Sequence, residues 1–261
     1  MFKEYKDLVK FWMPLNEPGT EASWGYLFGG QPPGKKNKLS ANAAFRNLMS
    51  AQHGAYKVAK SISLDFQIGC SHFTFYITPY KNLPWNILAA KAMDYVSNYR
   101  FFKAFKNSCD FFGIQYYQPF VINLKWRGHF WGIFENKAGS REKSDLGWEC
   151  YPEGMFPVLK KAAKNGKPIY ITENGLADVD DRLRPKFIKE HLQYVHQAIS
   201  DGVDVRGYLY WSLLDNFEFV ELRGFWPRFG LIEVNYETQE RKIRPSALMY
   251  ADICKNNKII I

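Results

Sequence analysis

Short apolar runs alternate with longer amphipathic stretches along the 261 residues. The runs 9–15 (VKFWMPL), 66–73 (FQIGCSHF), 111–117 (FFGIQYY), 168–172 (PIYIT) and 205–213 (VRGYLYWSL) have the length and content of buried strands. Between them, 41–62 places Phe45, Leu48, Ala51, Ala55, Val58, Ala59 and Ile62 at three- and four-residue spacing, one apolar face of a helix. Met155, Val158, Leu159, Ala162 and Ala163 repeat the pattern and stop at Asn165-Gly166, a helix-ending pair. Ile188, Leu192, Val195 and Ile199 make a third face, and Pro245-Ser246 opens a last helix over 245–255. Alternating strands and helices predict a mainly parallel sheet covered by helices.

The polar residues that stand out close predicted strands: Asn16-Glu17, Gln115 with Tyr117, Glu173 and Trp211. A (β/α)₈ barrel keeps its active site at that end of its strands. No GxGxxG follows the first strand and no Walker sequence occurs, which removes support for a nucleotide-binding sheet. The stretch from about 118 to 150, rich in Trp and Gly, reads as a long loop forming a lid or cleft wall. Taken alone, Glu173 reads first as a solvated acid at a strand end, and Tyr117 and Trp211 are equally core aromatics. A second carboxylate changes the balance. Glu17 also ends an apolar run, in FWMPLNEP, and strands distant in sequence converge on one barrel mouth. Two carboxylates across a cleft are the apparatus of glycosidic bond cleavage.

Composition adds little to this. Aromatics are 17% of the chain, which fits a ring-binding cleft and equally an aromatic core. The net charge of +9 is spread over separated lysines without interleaved aromatics, so a nucleic-acid surface is not expected. Cys70, Cys109, Cys150 and Cys254 form no CxxC pair, so no metal or redox motif is expected. The first residues carry charge and no long apolar run, and no spanning segment is apparent. The expected location is the cytoplasm.

LNEP (15–18) and ITENG (171–175) resemble the acid/base and nucleophile motifs of the family 1 glycoside hydrolases, the retaining β-glucosidases and β-galactosidases. GYLFGGQPPG (25–34), FFGIQYY (111–117), DLGWECYPEG (145–154), YWSLLDNFEF (210–219) and RFGLIEVNY (228–236) follow in family order, so the resemblance covers nearly the whole chain. It implies hydrolysis of β-D-glucosides or β-D-galactosides with retention, needing no cofactor or metal. Glu173 would be the nucleophile, Glu17 the acid/base, and Tyr117 the donor that holds the nucleophile. Asn16 would bind the sugar 2-hydroxyl. Trp211 would floor the ring, Glu218 would accept from the 4- and 6-hydroxyls, and Gln115 and Phe219 would complete the sugar contacts.

Several positions depart from the family pattern. Gln115 stands where Asn is usual, Pro14 replaces a Thr, and Phe219 replaces a frequent Trp. More is missing than altered. Only sixteen residues precede Glu17, and five strands are predicted where a closed barrel has eight. The expected fold is α/β, a single (β/α)₈ TIM-barrel-derived domain over 1–261, truncated to about the last five βα units. The first three strands of the family would supply further sugar contacts and an arginine beside the nucleophile. An open sheet has two edges to cover, so a complementing N-terminal fragment or a homo-oligomer is expected. A carbohydrate-binding or assembly subunit without its own activity is the alternative to an enzyme.

Overall fold

The computed structural model describes residues 1–127, 130–134, 141–218 and 223–259, with backbone alone for 125–127 and 130–134. In chain order the strands are β1 (Phe11–Trp12), β2 (Gln67–Phe73), β3 (Tyr76–Pro79), β4 (Phe111–Gln115), β5 (Pro119–Arg127), β6 (Phe130–Phe134), β7 (Ile169–Glu173), β8 (Val205–Tyr208), β9 (Ile232–Val234) and β10 (Arg241–Ile243). The α-helices are α1 (Pro18–Ser23), α2 (Lys38–Ile62), α3 (Pro84–Asp94), α4 (Arg100–Phe105), α5 (Met155–Ala163), α6 (Arg184–Ser200) and α7 (Pro245–Asn256).

The five apolar runs form one parallel sheet in the order β1-β2-β4-β7-β8. Every residue of β4 is buried, as a central parallel strand covered on both faces requires. Phe112 and Ile114 of β4 and Ile169 and Ile171 of β7 face the helices and meet Phe101, Phe102, Met155, Val158 and Leu159 in the main core. On the other face glycines alternate with aromatics. A Cβ on Gly69 would lie 2.3 Å from the Phe111 ring, and one on Gly207 would lie 2.8 Å from Tyr170. Those gaps let Phe11, Phe111 and Tyr170 meet across three strands, with ring centroids 4.9–6.0 Å apart.

The predicted helices form with modest changes of boundary. Asn37 accepts from the Ser40 amide at 2.9 Å and starts α2 at Lys38, three residues before the apolar face. Gly166, at φ 67°, closes the α5 segment after Asn165. β4 ends two residues before its predicted run does, and two further strands are much shorter than theirs. β1 stops at Trp12, because Pro14 has no amide hydrogen for a ladder. β8 stops at Tyr208, after which the backbone bonds irregularly to β7.

The stretch read as a long loop is different. Its first half is strand: β5 pairs in parallel with β3 and antiparallel with β6, forming a second sheet beside the barrel strands. The β-branched and aromatic run Phe120-Val121-Ile122, followed by Asn123-Leu124-Lys125 in alternation, carried that signal. Helices α3 and α4 also did not stand out in the apolar pattern.

The segment after β8 is fixed by a buried acid. Asp215 accepts from both terminal nitrogens of Arg244 at 3.1 and 3.2 Å, from the Gly230 amide at 2.9 Å and from the Val234 amide at 3.2 Å. Arg228 adds a longer contact at 3.3 Å. The four cysteines are unpaired thiols, and burial pushes Cys109 and Cys150 up to about 12. Among the described residues no helix is long and apolar enough to cross a membrane.

Asp215→Asn should be strongly destabilising, because it leaves Arg244 buried without its counter-ion. The expected loss is roughly 3 kcal/mol, read as a lower urea midpoint at an unchanged slope. An unchanged midpoint would show that the network contributes nothing net.

Candidate active site

Glu173 is the last residue of β7, and its side chain is aimed by a slip in register. Ile114 of β4 lies opposite Ile171, but Gln115 lies opposite Glu173 rather than Thr172. The extra residue is a bulge, a feature that re-aims a side chain beside a site. It brings the Glu173 carboxylate onto two donors. Gln115 Nε2 donates to Oε1 at 2.5 Å, and the Tyr117 hydroxyl donates to Oε2 at 2.8 Å. Each carboxylate oxygen thus has one protein donor.

The residues after Glu173 anchor this geometry. Asn174 is fully buried; its Nδ2 donates to the Tyr116 carbonyl at 2.5 Å, and its Oδ1 accepts from the Tyr208 hydroxyl at 2.7 Å. Gly175 passes so close to Trp211 that a Cβ there would sit 1.8 Å from its carbonyl oxygen. The ENG triplet is therefore an acid followed by a stitch and a contact only glycine allows.

Glu17 stands at the entry of α1 with φ 41° and ψ 55°, a left-handed conformation that a glutamate rarely adopts. Pro18 follows it and disfavours the right-handed helical region at this position. Its amide donates to Ser71 Oγ at 3.1 Å, and the same hydroxyl donates to Asn16 Oδ1 at 2.8 Å. Gln115 Nε2 reaches that same oxygen at 2.8 Å.

Burial raises both acids. Glu17 is pushed up to about 8, first by burial and then by the negative charge of Glu173, with a hydrogen bond to Thr20 opposing. Glu173 is pushed up to about 7 by burial, opposed by the Tyr117 hydrogen bond, with the Glu218 charge adding to the rise. No cation of the described residues figures among the influences on Glu173. Near neutral pH Glu17 is mostly protonated, while Glu173 is close to its midpoint. A proton donor beside a fixed carboxylate can protonate a leaving group and attack an electrophilic carbon.

Tyr117 is buried against Phe73, Trp148 and Phe229, in a cluster that Trp211 also joins. Glu218 hydrogen-bonds through its backbone to Gly224 and acts on both acids by its charge. Asn16 is exposed at the surface of the site, whereas Gln115 is buried beneath the acids, its amide already engaged. Phe219 lies outside the described residues. Ser71 and Asn174 were missed in the sequence. A hydroxyl inside the buried run IGCSH was the available signal for Ser71. Among the described residues no group of His, Cys, Asp and Glu could hold a metal ion.

The family model for glycosyl hydrolase family 1 matches residues 1–106 and 97–259. A 1,4-beta-D-glucan glucohydrolase of Thermotoga neapolitana is 32% identical over 98% of this chain and 66% of its own length. A beta-galactosidase of Sulfolobus acidocaldarius is 33% identical over 97% of this chain and 56% of its own. The solved beta-glucosidase of Thermotoga maritima in complex with glucoimidazole superposes with a TM-score of 0.91 at 31% identity, over 99% of this chain and 66% of that one. The chain thus spans less than two thirds of the length of each of these two curated relatives.

The raised acids make stability depend on pH in a defined direction. Glu17 has an ordinary value of 4.5 when exposed and about 8 when folded. The stability it lends as a neutral acid is present in full below about 4.5 and is lost as pH rises through about 8. Glu17→Gln should therefore gain on the unaltered chain between pH 5 and pH 8, by at least about 1 kcal/mol, seen as a few degrees in melting temperature. A melting difference constant over that range would show that Glu17 titrates normally.

Proposed function

The chain belongs to glycosyl hydrolase family 1, and from that membership we propose that it hydrolyses β-D-glycosidic bonds with retention. The five strands of the main sheet correspond to five of a (β/α)₈ barrel. The observation that carries the proposal is Glu173, held on both carboxylate oxygens by Gln115 and Tyr117, beside an acid that stays protonated near neutral pH.

Glu173 attacks the anomeric carbon while Glu17 gives its proton to the departing oxygen. The resulting ester has no charge at Glu173. That removes a negative neighbour which had raised Glu17, so Glu17 ionises more easily and takes a proton from the water that hydrolyses the ester. Asn16 binds the sugar 2-hydroxyl, Trp211 lies under the ring, and Glu218 accepts from the 4- and 6-hydroxyls. The substrate is a β-glucoside or β-galactoside.

A second reading has a specific observation behind it. Among the described residues no cation lowers Glu173, which sits near 7, and the resemblance puts such an arginine in the part of the family barrel outside this sequence. In that reading the chain binds carbohydrate or assembles with an N-terminal fragment and is silent alone. Hydrolysis of a chromogenic aryl β-glucoside, measured on a sample whose mass is known from light scattering, separates the two. Turnover by the chain alone supports the enzyme, whereas turnover only after an N-terminal fragment is added supports the subunit.

With turnover in hand, Glu173→Ala should lower it by several orders of magnitude. A 2-fluoroglycoside should label Glu173, and a label elsewhere would overturn the assignment. Glu17→Ala should damage alkyl glycosides more than activated aryl glycosides, with partial rescue by azide. Equal losses on both would remove Glu17 from the acid role.

A further inference from the structure

Ser71 lies in the middle of β2, fully buried, where a polar side chain must find partners. Its neighbour across the ladder is Gly113, so no side chain from that position covers it. The hydroxyl reaches out of the sheet to the two residues that begin the acid/base segment, Asn16 and Glu17.

The direction of every bond in this group follows from one charge. The amide group of Gln115 must turn its nitrogen toward the Glu173 carboxylate, because its oxygen would be repelled there. The same nitrogen lies 2.8 Å from the Asn16 side chain, so the Asn16 atom it meets must be the oxygen. Ser71 approaches that oxygen too and must spend its only hydrogen on it. A lone pair of Ser71 Oγ is left to accept the Glu17 amide. Asn16 Nδ2 is then the end not used by these partners, on a residue exposed to the site.

We propose that Ser71 is a positioning residue of the active site: its hydroxyl holds Glu17 in its left-handed conformation and turns the Asn16 amide so that its NH₂ faces the sugar. This rests on the reading of the site as a glycosidase. The left-handed backbone is unfavourable for a non-glycine residue. The Glu17 amide bond to Ser71 offsets part of that cost, in the range of a typical net hydrogen bond. Ser71 does not contact the reacting atoms and acts through Asn16 and Glu17.

The test uses the full chain, labelled with ¹⁵N, and the variants Ser71→Ala and Ser71→Cys; the latter nearly keeps the volume but replaces the hydroxyl by a weak donor. Hydrogen exchange of the Glu17 amide should speed up by about tenfold in Ser71→Ala and by less in Ser71→Cys, with the Ile68 and Phe112 amides of the same sheet unchanged. Unchanged exchange at Glu17, or equal acceleration at all three amides, would overturn the proposal. In an active preparation, Ser71→Ala should lower kcat/KM more for alkyl than for activated aryl β-glucosides, and a uniform loss would count against positioning. Absence of hydrolysis by the unaltered chain, alone or complemented, would sink the glycosidase reading instead, while the exchange measurement would still judge Ser71.

Discussion

Gln115 Nε2 makes two hydrogen bonds from the end of the central strand, one to the Glu173 carboxylate and one to Asn16, and the geometry of the site is built around them. Strand order explains why this side chain has that position. β2 and β7 flank β4, so a residue at the tip of β4 is the shortest bridge between the segment after β1, anchored on β2, and the acid on β7. The bulge at Thr172 brings the Glu173 carboxylate to one end of the bridge, and the left-handed turn at Glu17 follows Asn16 at the other. The extra methylene of Gln over Asn lets one amide reach both partners. Its Oε1 remains without a hydrogen-bond partner, so the bridge leaves one buried acceptor unsatisfied.

The same arrangement makes an unstable charge state tolerable. Two buried acids, with a third nearby in Glu218, would repel if all were ionised. Raising Glu17 the furthest keeps it neutral near pH 7 and leaves the ionised form to Glu173, which has two donors. Burial and neighbouring charge act in one direction on both acids. Each is also lowered by one hydrogen bond, Thr20 on Glu17 and Tyr117 on Glu173, and Glu17 carries in addition the charge of Glu173.

Much of the sheet was legible because parallel strands buried on both faces leave continuous apolar runs, and each of the five runs became a strand of it. The acids were legible as charges closing such runs. What the pattern did not carry was anything that depends on a single backbone deviation. Neither the bulge that turns Glu173 toward Gln115 nor the positive φ of Glu17 leaves a periodic trace. Ser71 is one hydroxyl in an apolar strand, and its partners lie more than fifty residues away. The β5–β6 hairpin failed for another reason: its aromatic and glycine content resembles a cleft loop, and that weighed more than its alternation.

Openness and charge make separate demands on the same sheet. Among the described residues β1 and β8 each have one ladder neighbour in the main sheet. Phe11 is 51% exposed at one edge, while Leu209 and Leu213 are 52% and 63% exposed just beyond the other. Apolar surface and unpaired strand backbone both favour a covering partner. The acids add a further requirement, since a carboxylate poised near 7 becomes a better nucleophile at neutral pH if a cation lowers it. A polar cover would leave the apolar edges wet, and a purely apolar one would desolvate the acids further and raise them again. Under the reading in which an N-terminal fragment completes the sheet, that fragment would be apolar along the strand edges and positively charged at the strand ends.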